Sequence, residues 1–301
     1  MNIPFIKFNK FGIMISSFLI LVTLISLLFK GLNLGLDFTG GISLELKYEQ
    51  KADLERIRNS ISKIENSNFV VLNYGSDNSV LIKFQSDEEL SINAQTVIDQ
   101  LSTDNYLGTV EKSETIFPQI GEELRDQGGI AILIAMLVIL VYIIFRFQIK
   151  FGYGAIAALF HDVLIILGIF SVFNLTFDLS VLAALLAVVG YSLNDSIVVS
   201  DRIRENFRAK RKLNSEQVIN RSLNNTLGRT LITSLTTLLV LFSLLFLGGE
   251  IIRNFAIALS IGVVIGTYSS IYVLTNVLLS MNISAEDLAE RTKESFDDGM
   301  P

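Results

Sequence analysis

The sequence predicts a polytopic α-helical membrane protein, with six transmembrane helices and one ferredoxin-like α+β domain between helices one and two. Three observations predict this class. Half of the 301 residues are hydrophobic, and the mean hydropathy is +0.52. These residues are gathered into six long runs, whereas soluble domains distribute a similar apolar fraction in short periods. One long polar segment, residues 30–127, separates the first run from the other five.

Each run is about long enough to cross a hydrocarbon core roughly 30 Å thick, which takes around 20 helical residues. The first run resembles a secretory signal, but its apolar stretch is longer and no A-x-A site follows, so we interpret it as a retained anchor. The six predicted spans are Phe11–Phe29, Gly128–Phe145, Phe151–Phe173, Leu179–Ser200, Thr230–Leu247 and Phe255–Leu279.

Basic residues predict the orientation, because cytoplasmic loops carry an excess of Lys and Arg. One side of the membrane has residues 174–178 and 248–254, with Arg253 as its single basic residue. Both termini are therefore expected in the cytoplasm. The basic residues of the cytoplasmic side are Lys7, Lys10, Arg146, Lys150, Arg202, Arg204, Arg208, Lys210, Arg211, Lys212, Arg221 and Arg229.

This topology divides the chain into four parts. Residues 1–29 are the N-terminus and first helix, and 30–127 form the polar domain. Residues 128–281 form a five-helix membrane domain with a basic cytoplasmic loop at 201–229, and 282–301 form an acidic cytoplasmic tail that we expect to be frayed. The basic loop is a topology signal and a contact for anionic lipid.

The polar domain shows the strand and helix periods of a β-α-β-β-α-β order. Residues 42–48 alternate like a half-buried strand, and a helical period follows Asp53, a candidate cap. A hairpin is expected around residues 75–78, a second helix over 90–101, and an extended segment over 106–116. This order is ferredoxin-like. Its acidic surface is either simply solvated or a surface for binding exported chains.

Several function classes are excluded. There is no Cys, and a net charge of −6 argues against nucleic acid as a partner. No P-loop, H-E-x-x-H or G-x-S-x-G motif is present. We therefore expect no enzyme activity, no catalytic residue, no metal site and no cofactor, and any energy must come from another source.

Asp195 is an ionisable residue within the fourth span. A charge at the bilayer centre costs about 2.5–3.5 kcal/mol, so it needs a partner, a proton or water. Helical spacing places Tyr191 and Arg202 on the same face as Asp195, while Asn194 and Asp201 belong to a neighbouring stripe. A polar site is therefore expected in the cytoplasmic half of this span.

Arg229 opens the fifth span, and several hydroxyl side chains follow it, Ser234 among them. Lipid offers hydroxyl groups no partner, so they should face other helices or a wet cavity. Asp195 and Arg229 could pair and separate as the carboxyl group gains and loses a proton, which would let a proton gradient drive motion. The alternative is a static polar cluster that fixes helix register.

His161 and Asp162 lie near the middle of the third span. Adjacent residues point about 100° apart on a helix, so this spacing predicts that the two cannot face one small site. They either take part in the proton path or make polar contacts between helices with a neutral His. In the sixth span, Gly262 and Gly266 form a G-x-x-x-G motif, which is typical of close helix packing.

Four stretches resemble the SecF family, the smaller membrane subunits of the SecDF complex of bacterial protein export. The most specific is GYSLNDSIVVSDRIREN at Gly190–Asn206. The others are GLDFTGGISLE at Gly35–Glu45, GRTLITSLTTLL at Gly228–Leu239, and the segment Phe246–Val273. Together they extend from the first span to the sixth.

The resemblance implies a fold related to resistance-nodulation-division transporters, in a bacterial inner membrane with residues 30–127 in the periplasm. It implies SecD as partner, association with the SecYEG channel, YajC and YidC, and contact with the translocating preprotein. SecDF is taken to use the proton-motive force after the step driven by SecA. The family's coupling residues match Asp195 and Arg229.

The D-F-T-G-G segment adds hinge candidates where the polar domain meets the membrane, namely Asp37, Gly40 and Gly41. Two other functions stay open. One is a proton-driven exporter of small molecules or lipids on the same fold, and the other is a scaffold of the translocase without a coupling role.

Overall fold

The structure is a computed structural model that describes residues 3–64, 69–85, 94–146, 148–209, 213–284 and 287. A short 3-10 helix, Phe5–Phe8, precedes the first long helix. The other elements in chain order are α1 (Asn9–Phe29), β1 (Asn33–Leu34), α2 (Leu36–Thr39), β2 (Gly41–Lys47), α3 (Leu54–Ile61), β3 (Phe69–Tyr74), β4 (Ser76–Gln85), α4 (Ala94–Thr103), β5 (Thr109–Ile116), α5 (Pro118–Arg146), α6 (Ile149–Val172), β6 (Thr176–Phe177), α7 (Leu179–Ala209), α8 (Ser215–Leu247) and α9 (Glu250–Ser280).

Six of the helices are long and apolar enough to cross a membrane, which confirms the predicted number of spans. They are α1, α5, α6, α7, α8 and α9. A helix satisfies its own backbone hydrogen bonds, so long apolar runs take this form in lipid.

Three of these helices extend beyond the hydropathy signal. α5 begins at Pro118, within the predicted polar domain. The predicted loop 201–229 is wrong as a loop, because α7 continues to Ala209 and α8 starts at Ser215. Hydropathy marks only the part that crosses the membrane, whereas polar helical residues and caps extend the helix. Asn214 is such a cap, accepting a 2.8 Å hydrogen bond from the amide of Gln217.

The polar domain forms the predicted ferredoxin-like sheet. Its four antiparallel strands lie in the order β3-β4-β2-β5, and helices α3 and α4 pack together. Asp53 caps α3 as predicted, accepting a 3.1 Å hydrogen bond from the amide of Arg56. Leu90, at the start of the second predicted helix, lies outside the described residues. The fully buried core side chains of the domain include Leu44, Ile57, Ile82, Val97 and Leu101.

Small residues allow α9 to pack closely against α7. A Cβ atom on Gly266 would lie 3.1 Å from the Cβ of Ser192, and one on Gly262 would clash with the side chain of Val188. The G-x-x-x-G motif therefore makes the helix contact that its spacing predicts. On the opposite side of α9, Gly12 of α1 leaves room for the ring of Tyr272.

The two ends of the helix bundle differ. At one end, the α+β domain is joined to the bundle by a short parallel pairing of β1 with β6. Asn254 of α9 reaches the same end, where it donates to the carbonyl of Thr176 at 3.0 Å. At the other end, Asn224 of α8 accepts a 2.7 Å hydrogen bond from the amide of Ile3. The chain's N-terminus and the long basic extensions of α7 and α8 thus share the end away from the domain.

Little of the predicted tail, residues 282–301, belongs to the described residues. The described part packs against the bundle. Ser215 donates a 2.6 Å hydrogen bond to the carbonyl of Ile283, and Lys150 forms a 2.7 Å ion pair with Asp287.

Candidate functional site

Asp195 lies in the interior of the helix bundle, on α7, with 2% of its surface exposed. Its Oδ2 atom is buried and has no hydrogen-bond partner. The carboxyl group interacts with two side chains from other helices, Thr267 of α9 and Arg229 of α8. The predicted site residue is therefore buried at the contact of three helices, with one oxygen left unsatisfied.

A chain of hydroxyl groups leads to this carboxyl group. The hydroxyl of Tyr191, one helical turn before Asp195, donates to Oγ of Ser234 at 3.3 Å. Oγ of Ser234 in turn lies 2.7 Å from Oγ1 of Thr267, which interacts with Asp195. The chain links α7, α8 and α9, so a change of charge at Asp195 acts on the contacts of all three helices.

Arg229 and Asp195 do not form a direct ion pair, although both belong to the described part of the chain. Arg229 is exposed at the side of α8, and its charge acts on Asp195 across a gap. The structure therefore shows the separated arrangement of the two charges. Arg229 is on the helix adjoining Asp195, as its position at the start of the fifth span indicates.

Three of the other predicted polar positions do not join this site. Asn194 is exposed, on a different face of α7 from Asp195. Arg202 forms a 2.7 Å ion pair with Glu205, and Asp201 forms one of 2.9 Å with Arg204. These pairs join residues three apart on the polar extension of α7, where they are solvent-screened and contribute little to stability.

His161 and Asp162 form a second buried cluster. Nδ1 of His161 lies 3.0 Å from Oδ1 of Asp162, and the two side chains are 3% and 0% exposed. Oδ2 of Asp162 accepts hydrogen bonds from Ser192 of α7 at 2.6 Å and from Ser269 of α9 at 2.8 Å. The ring of Tyr268 stacks on His161 at a centroid distance of 6.1 Å.

The expectation that His161 and Asp162 cannot face one site is wrong. A 100° separation at the backbone is bridged because the imidazole and carboxyl groups extend toward each other at the packed surface of α6. Contacts between side chains depend on their reach and rotamer as well as on helical spacing.

Sequence reasoning missed the residues that complete both clusters, which are Thr267, Ser269 and Ser192. The available signal was their position: hydroxyl residues inside apolar spans need partners from other helices. Ser192 and Asp195 are three residues apart on α7, and Thr267 and Ser269 are two apart on α9. The two carboxyl clusters are thus neighbours along the same helix pair.

The hinge candidates lie at the junction of the domain and the bundle. Oδ2 of Asp37 accepts a 3.0 Å hydrogen bond from the amide of Leu179, so Asp37 caps α7. Gly40 and Gly41 have φ values of 73° and 141°, and a Cβ atom on Gly41 would overlap the carbonyl oxygen of Phe84. Asp37 therefore belongs to the bundle side of the junction, and the two glycines connect it to β2.

Within the described residues, no three His, Asp or Glu side chains come together in a way that could hold a metal ion. The buried polar groups of the bundle are carboxyl, imidazole, phenol and hydroxyl groups. Chemically, this set can bind, hold and transfer protons, with Arg229 supplying a fixed positive charge nearby.

Comparison with known proteins identifies the family. The model of "Protein export membrane protein SecD/SecF, C-terminal" matches residues 97–284, and that of the "SecD/SecF GG Motif" matches residues 25–52. The chain is 46% identical to "Protein translocase subunit SecF" of Pseudomonas aeruginosa over 99% of this chain and 97% of the relative. The chain belongs to the SecF family. A second SecF relative, from Vibrio alginolyticus, is 41% identical over 99% of this chain and 96% of its own length.

Solved structures agree with this assignment. The crystal structure of SecDF, described as a translocon-associated membrane protein from Thermus thermophilus, matches with a TM-score of 0.81 at 38% identity. The match covers 93% of this chain and 39% of that chain. A SecDF structure in a "Super-membrane-facing form" matches with a TM-score of 0.68. The SecF-family fold thus corresponds to a minor part of a longer SecDF chain, and the glycines of the GG motif include Gly40 and Gly41.

Proposed function

We propose that this chain is the SecF-type subunit of a bacterial Sec translocase which, with SecD, uses the proton-motive force to promote preprotein translocation and release after the step driven by SecA. The observation that carries the proposal is Asp195, a buried carboxyl group with an unsatisfied oxygen where three helices meet. Burying an ionisable group inside a membrane costs free energy, so such a group is expected to have a function.

The mechanism follows from the charge balance at this site. With a proton on Asp195, the carboxyl group is neutral and exerts little attraction on Arg229. Without the proton, the negative charge attracts Arg229 and draws α8 toward α7. One charge that crosses a membrane potential of 100 mV supplies about 2.3 kcal/mol, and a pH difference adds to this. That free energy is enough to change the relative population of two helix arrangements.

The proposed placement is a bacterial inner membrane, with both termini in the cytoplasm and the α+β domain in the periplasm. The basic extensions of α7 and α8 at the end away from the domain support this orientation. SecD is the proposed partner, because the longer SecDF chain contains much more than this fold. The other proposed partners are the SecYEG channel, YajC, YidC and the translocating preprotein.

In the proposed cycle, the two states of the bundle are transmitted to the α+β domain at the DFTGG junction, with Gly40 and Gly41 as the hinge. Asp37 supports this, because its hydrogen bond to the first residue of α7 joins the segment to the helix that carries Asp195. Movement of α7 would thus be transmitted to Gly40 and Gly41 through the side chain of Asp37.

The test is the rate at which an exported protein is released from spheroplasts, with and without a proton-motive force. In an Asp195→Asn variant, release should be slow and should no longer respond to the gradient. Asp201→Asn is the matched control, because the same change is made on the exposed end of the same helix. Normal, gradient-sensitive release in a stably inserted Asp195→Asn variant would contradict the proposal.

Two alternatives give different outcomes. A proton-driven exporter of small molecules or lipids would show a selective loss of resistance to toxic amphiphiles when the gene is removed, with protein export intact. A scaffold without a coupling role would tolerate every Asp195 substitution that preserves assembly with SecD. The unsatisfied oxygen of Asp195 argues against the scaffold, since a purely structural carboxyl group is normally satisfied.

A further inference from the structure

A cavity of about 300 Å³ lies between α1, α6 and α9, and His161 lines it. Its lining comes from residues 13–20 of α1, residues 157–164 at the middle of α6, and residues 272–277 in the last third of α9. Most of its lining residues are apolar, and its edge opens at the outside of the bundle, where Ile13 and Phe160 are exposed. Its polar lining residues besides His161 are Ser16, Ser17, Tyr272 and Asn276.

The side chain of His161 connects this cavity to Asp162. Its Nδ1 atom makes the 3.0 Å contact with Asp162, while its Nε2 atom is buried and has no hydrogen-bond partner. An imidazole with one nitrogen bonded to a carboxyl group and the other nitrogen unsatisfied can exchange a proton at the second nitrogen while it stays bonded to the carboxyl group at the first.

Asp162 is held by hydrogen bonds from three helices, and among the described residues no Lys or Arg forms an ion pair with it. Its contacts are His161 on its own helix, Ser192 of α7 and Ser269 of α9. The charged form of Asp162 is thus stabilised by hydroxyl donors and by the imidazole alone. An isolated charge is costly inside a membrane, so a carboxylate at Asp162 depends on these three partners.

The other groups that face the pair are few. α9 contributes the phenols of Tyr268 and Tyr272, and α1 contributes the hydroxyl of Ser16, which lies 3.0 Å from the Tyr268 hydroxyl. α7 contributes Ser192, with Asp195 one turn further along the helix. α5 has no charged residue between positions 128 and 145.

We propose that His161 and Asp162 form a second proton-exchange site, distinct from Asp195 and Arg229 and reached through the cavity between α1, α6 and α9. In the neutral state, His161 carries its proton on Nε2, and Asp162 is protonated and donates to Nδ1. On release, the Nε2–H bond breaks and the proton passes to water in the cavity. The Asp162 proton moves to Nδ1, which leaves Asp162 as a carboxylate. One proton leaves, and the charge of the pair changes from 0 to −1.

This inference rests on the proposed function and adds a second site to it. Ser192 and Ser269 tie Asp162 to the helix pair whose other contacts surround Asp195. A charge on Asp162 strengthens its hydrogen bonds to both serines, whereas protonation weakens them. The protonation state of Asp162 therefore affects the α7–α9 contact on which the arrangement around Asp195 depends.

The test uses the full chain with SecD in membrane vesicles and dicyclohexylcarbodiimide, a hydrophobic reagent that modifies protonated carboxyl groups. Modification at Asp162 and Asp195 is quantified by mass spectrometry over the range in which His titrates, about pH 5 to 8. We expect modification of Asp162 to fall as the pH rises. In His161→Asn, which retains a donor toward Asp162 but cannot titrate, this transition should be lost from the range.

Two controls separate proton exchange from a structural role. Ser171→Ala removes a buried hydroxyl of α6 that donates to the carbonyl of Gly31 at 2.6 Å, far from the pair, and should preserve the transition at Asp162. Ser192→Ala and Ser269→Ala remove hydrogen bonds to Asp162 without removing a titratable group, so they should shift the transition and not abolish it. Recovery of the complex with SecD shows that each variant is assembled.

The outcomes distinguish this inference from the proposed function. Modification of Asp162 that has the same pH profile in the wild type and in His161→Asn would overturn the second site. If Asp195→Asn still abolished the gradient response in that case, the proposed function would stand. A pH transition at Asp162 together with normal release from Asp195→Asn would support the second site and contradict the proposed role of Asp195.

Discussion

At the scale of single residues, local geometry decides which substitutions the junction tolerates. Gly41 has a φ of 141°, and any Cβ atom there would overlap the carbonyl oxygen of Phe84 in the neighbouring strand. Gly75, in the β3–β4 turn, has a φ of 73° but open space around it. A comparison of alanine substitutions at Gly41 and Gly75 therefore distinguishes the effect of steric overlap from the effect of backbone strain.

Gly41→Ala should destabilise the protein by more than Gly75→Ala. At Gly75 the cost is the strain of a left-handed conformation, roughly 1–2 kcal/mol. At Gly41 the overlap with the Phe84 carbonyl adds to the strain and must displace β2 from β4. Thermal unfolding of the purified complex, followed by size-exclusion chromatography, measures both variants. Equal losses of stability would show that the overlap is relieved without cost.

The surroundings of Asp104 predict how the stability of the α+β domain changes in acid. Hydrogen bonds from Lys63 and Ser60 hold the pKa of the Asp104 carboxyl below its ordinary value, and Lys63 lies 2.7 Å away. A carboxyl group whose pKa is lowered by folding adds stability above its unfolded pKa, and that stability is lost as the pH falls through the folded pKa.

Hydrogen-exchange protection around Ser60, corrected for the intrinsic pH dependence of amide exchange, should therefore fall in acid, between the ordinary pKa of an aspartate, about 3.9, and the lower folded value. Asp104→Asn removes the titrating group, so its exchange in this segment should be faster at neutral pH and less dependent on acid. An unchanged acid response in Asp104→Asn would assign the effect to other carboxyl groups.

At the scale of elements, the close packing of α7 and α9 holds the two carboxyl clusters together. Both clusters take one group from each helix: Asp195 and Thr267 in one, Ser192 and Ser269 in the other. The small residues of α9 make this approach possible, since Gly262 is packed against Val188. A shift of α9 by the width of a methyl group would change both clusters at once.

Gly262→Ala and Gly190→Ala should have opposite effects. Both replace a helical glycine, which by propensity alone favours the alanine by about 1 kcal/mol. Gly190 has open space around it, so this gain should be retained. At Gly262 the added methyl group meets Val188, and overpacking typically costs 1–3 kcal/mol. Thermal stability of the two complexes measures the difference, and equal stabilisation would show that α7 and α9 can separate freely.

At the scale of the whole molecule, the α+β domain is joined to the bundle by the pairing of β1 with β6 and by Asp37 on α7. Phe38 adds a ring contact to Phe177 at 5.7 Å. In each of these contacts, one partner lies before Gly40 in the chain, within residues 33–38, and the other belongs to β6 or to the start of α7. A domain that rotates at the two glycines would therefore leave the β1–β6 pairing intact.

A crosslink between β1 and β6 should accordingly leave export unchanged. Asn33 and Thr176 are paired in register, and the chain has no Cys, so Asn33→Cys with Thr176→Cys gives a single reactive pair. After treatment with a short thiol crosslinker, the rate of preprotein release should match that of each single variant. Slow release only in the crosslinked protein would place the movement at the strand pairing, and the hinge proposal would be wrong.

Much of this architecture could be predicted from the sequence because its signals are local. Hydropathy and charge marked six spans, and short periods marked the β-α-β-β-α-β order. The same signals found Asp195 and Arg229, since an acidic residue within an apolar run is visible without a structure. The extents of α7 and α8 were not visible in this way, because polar residues continue a helix without a hydropathy signal.

The composition of the sites was decided by the tertiary structure alone. Asp162 contacts Ser192 and Ser269, which are 30 and 107 residues away along the chain. Thr267 joins Asp195 only because close packing at Gly262 and Gly266 brings α9 against α7. Which hydroxyl meets which carboxyl group depends on how each helix is rotated and how the helices cross. The sequence determined that buried charges exist within the spans, whereas interhelical packing determined their partners, because partners on different helices leave no local pattern.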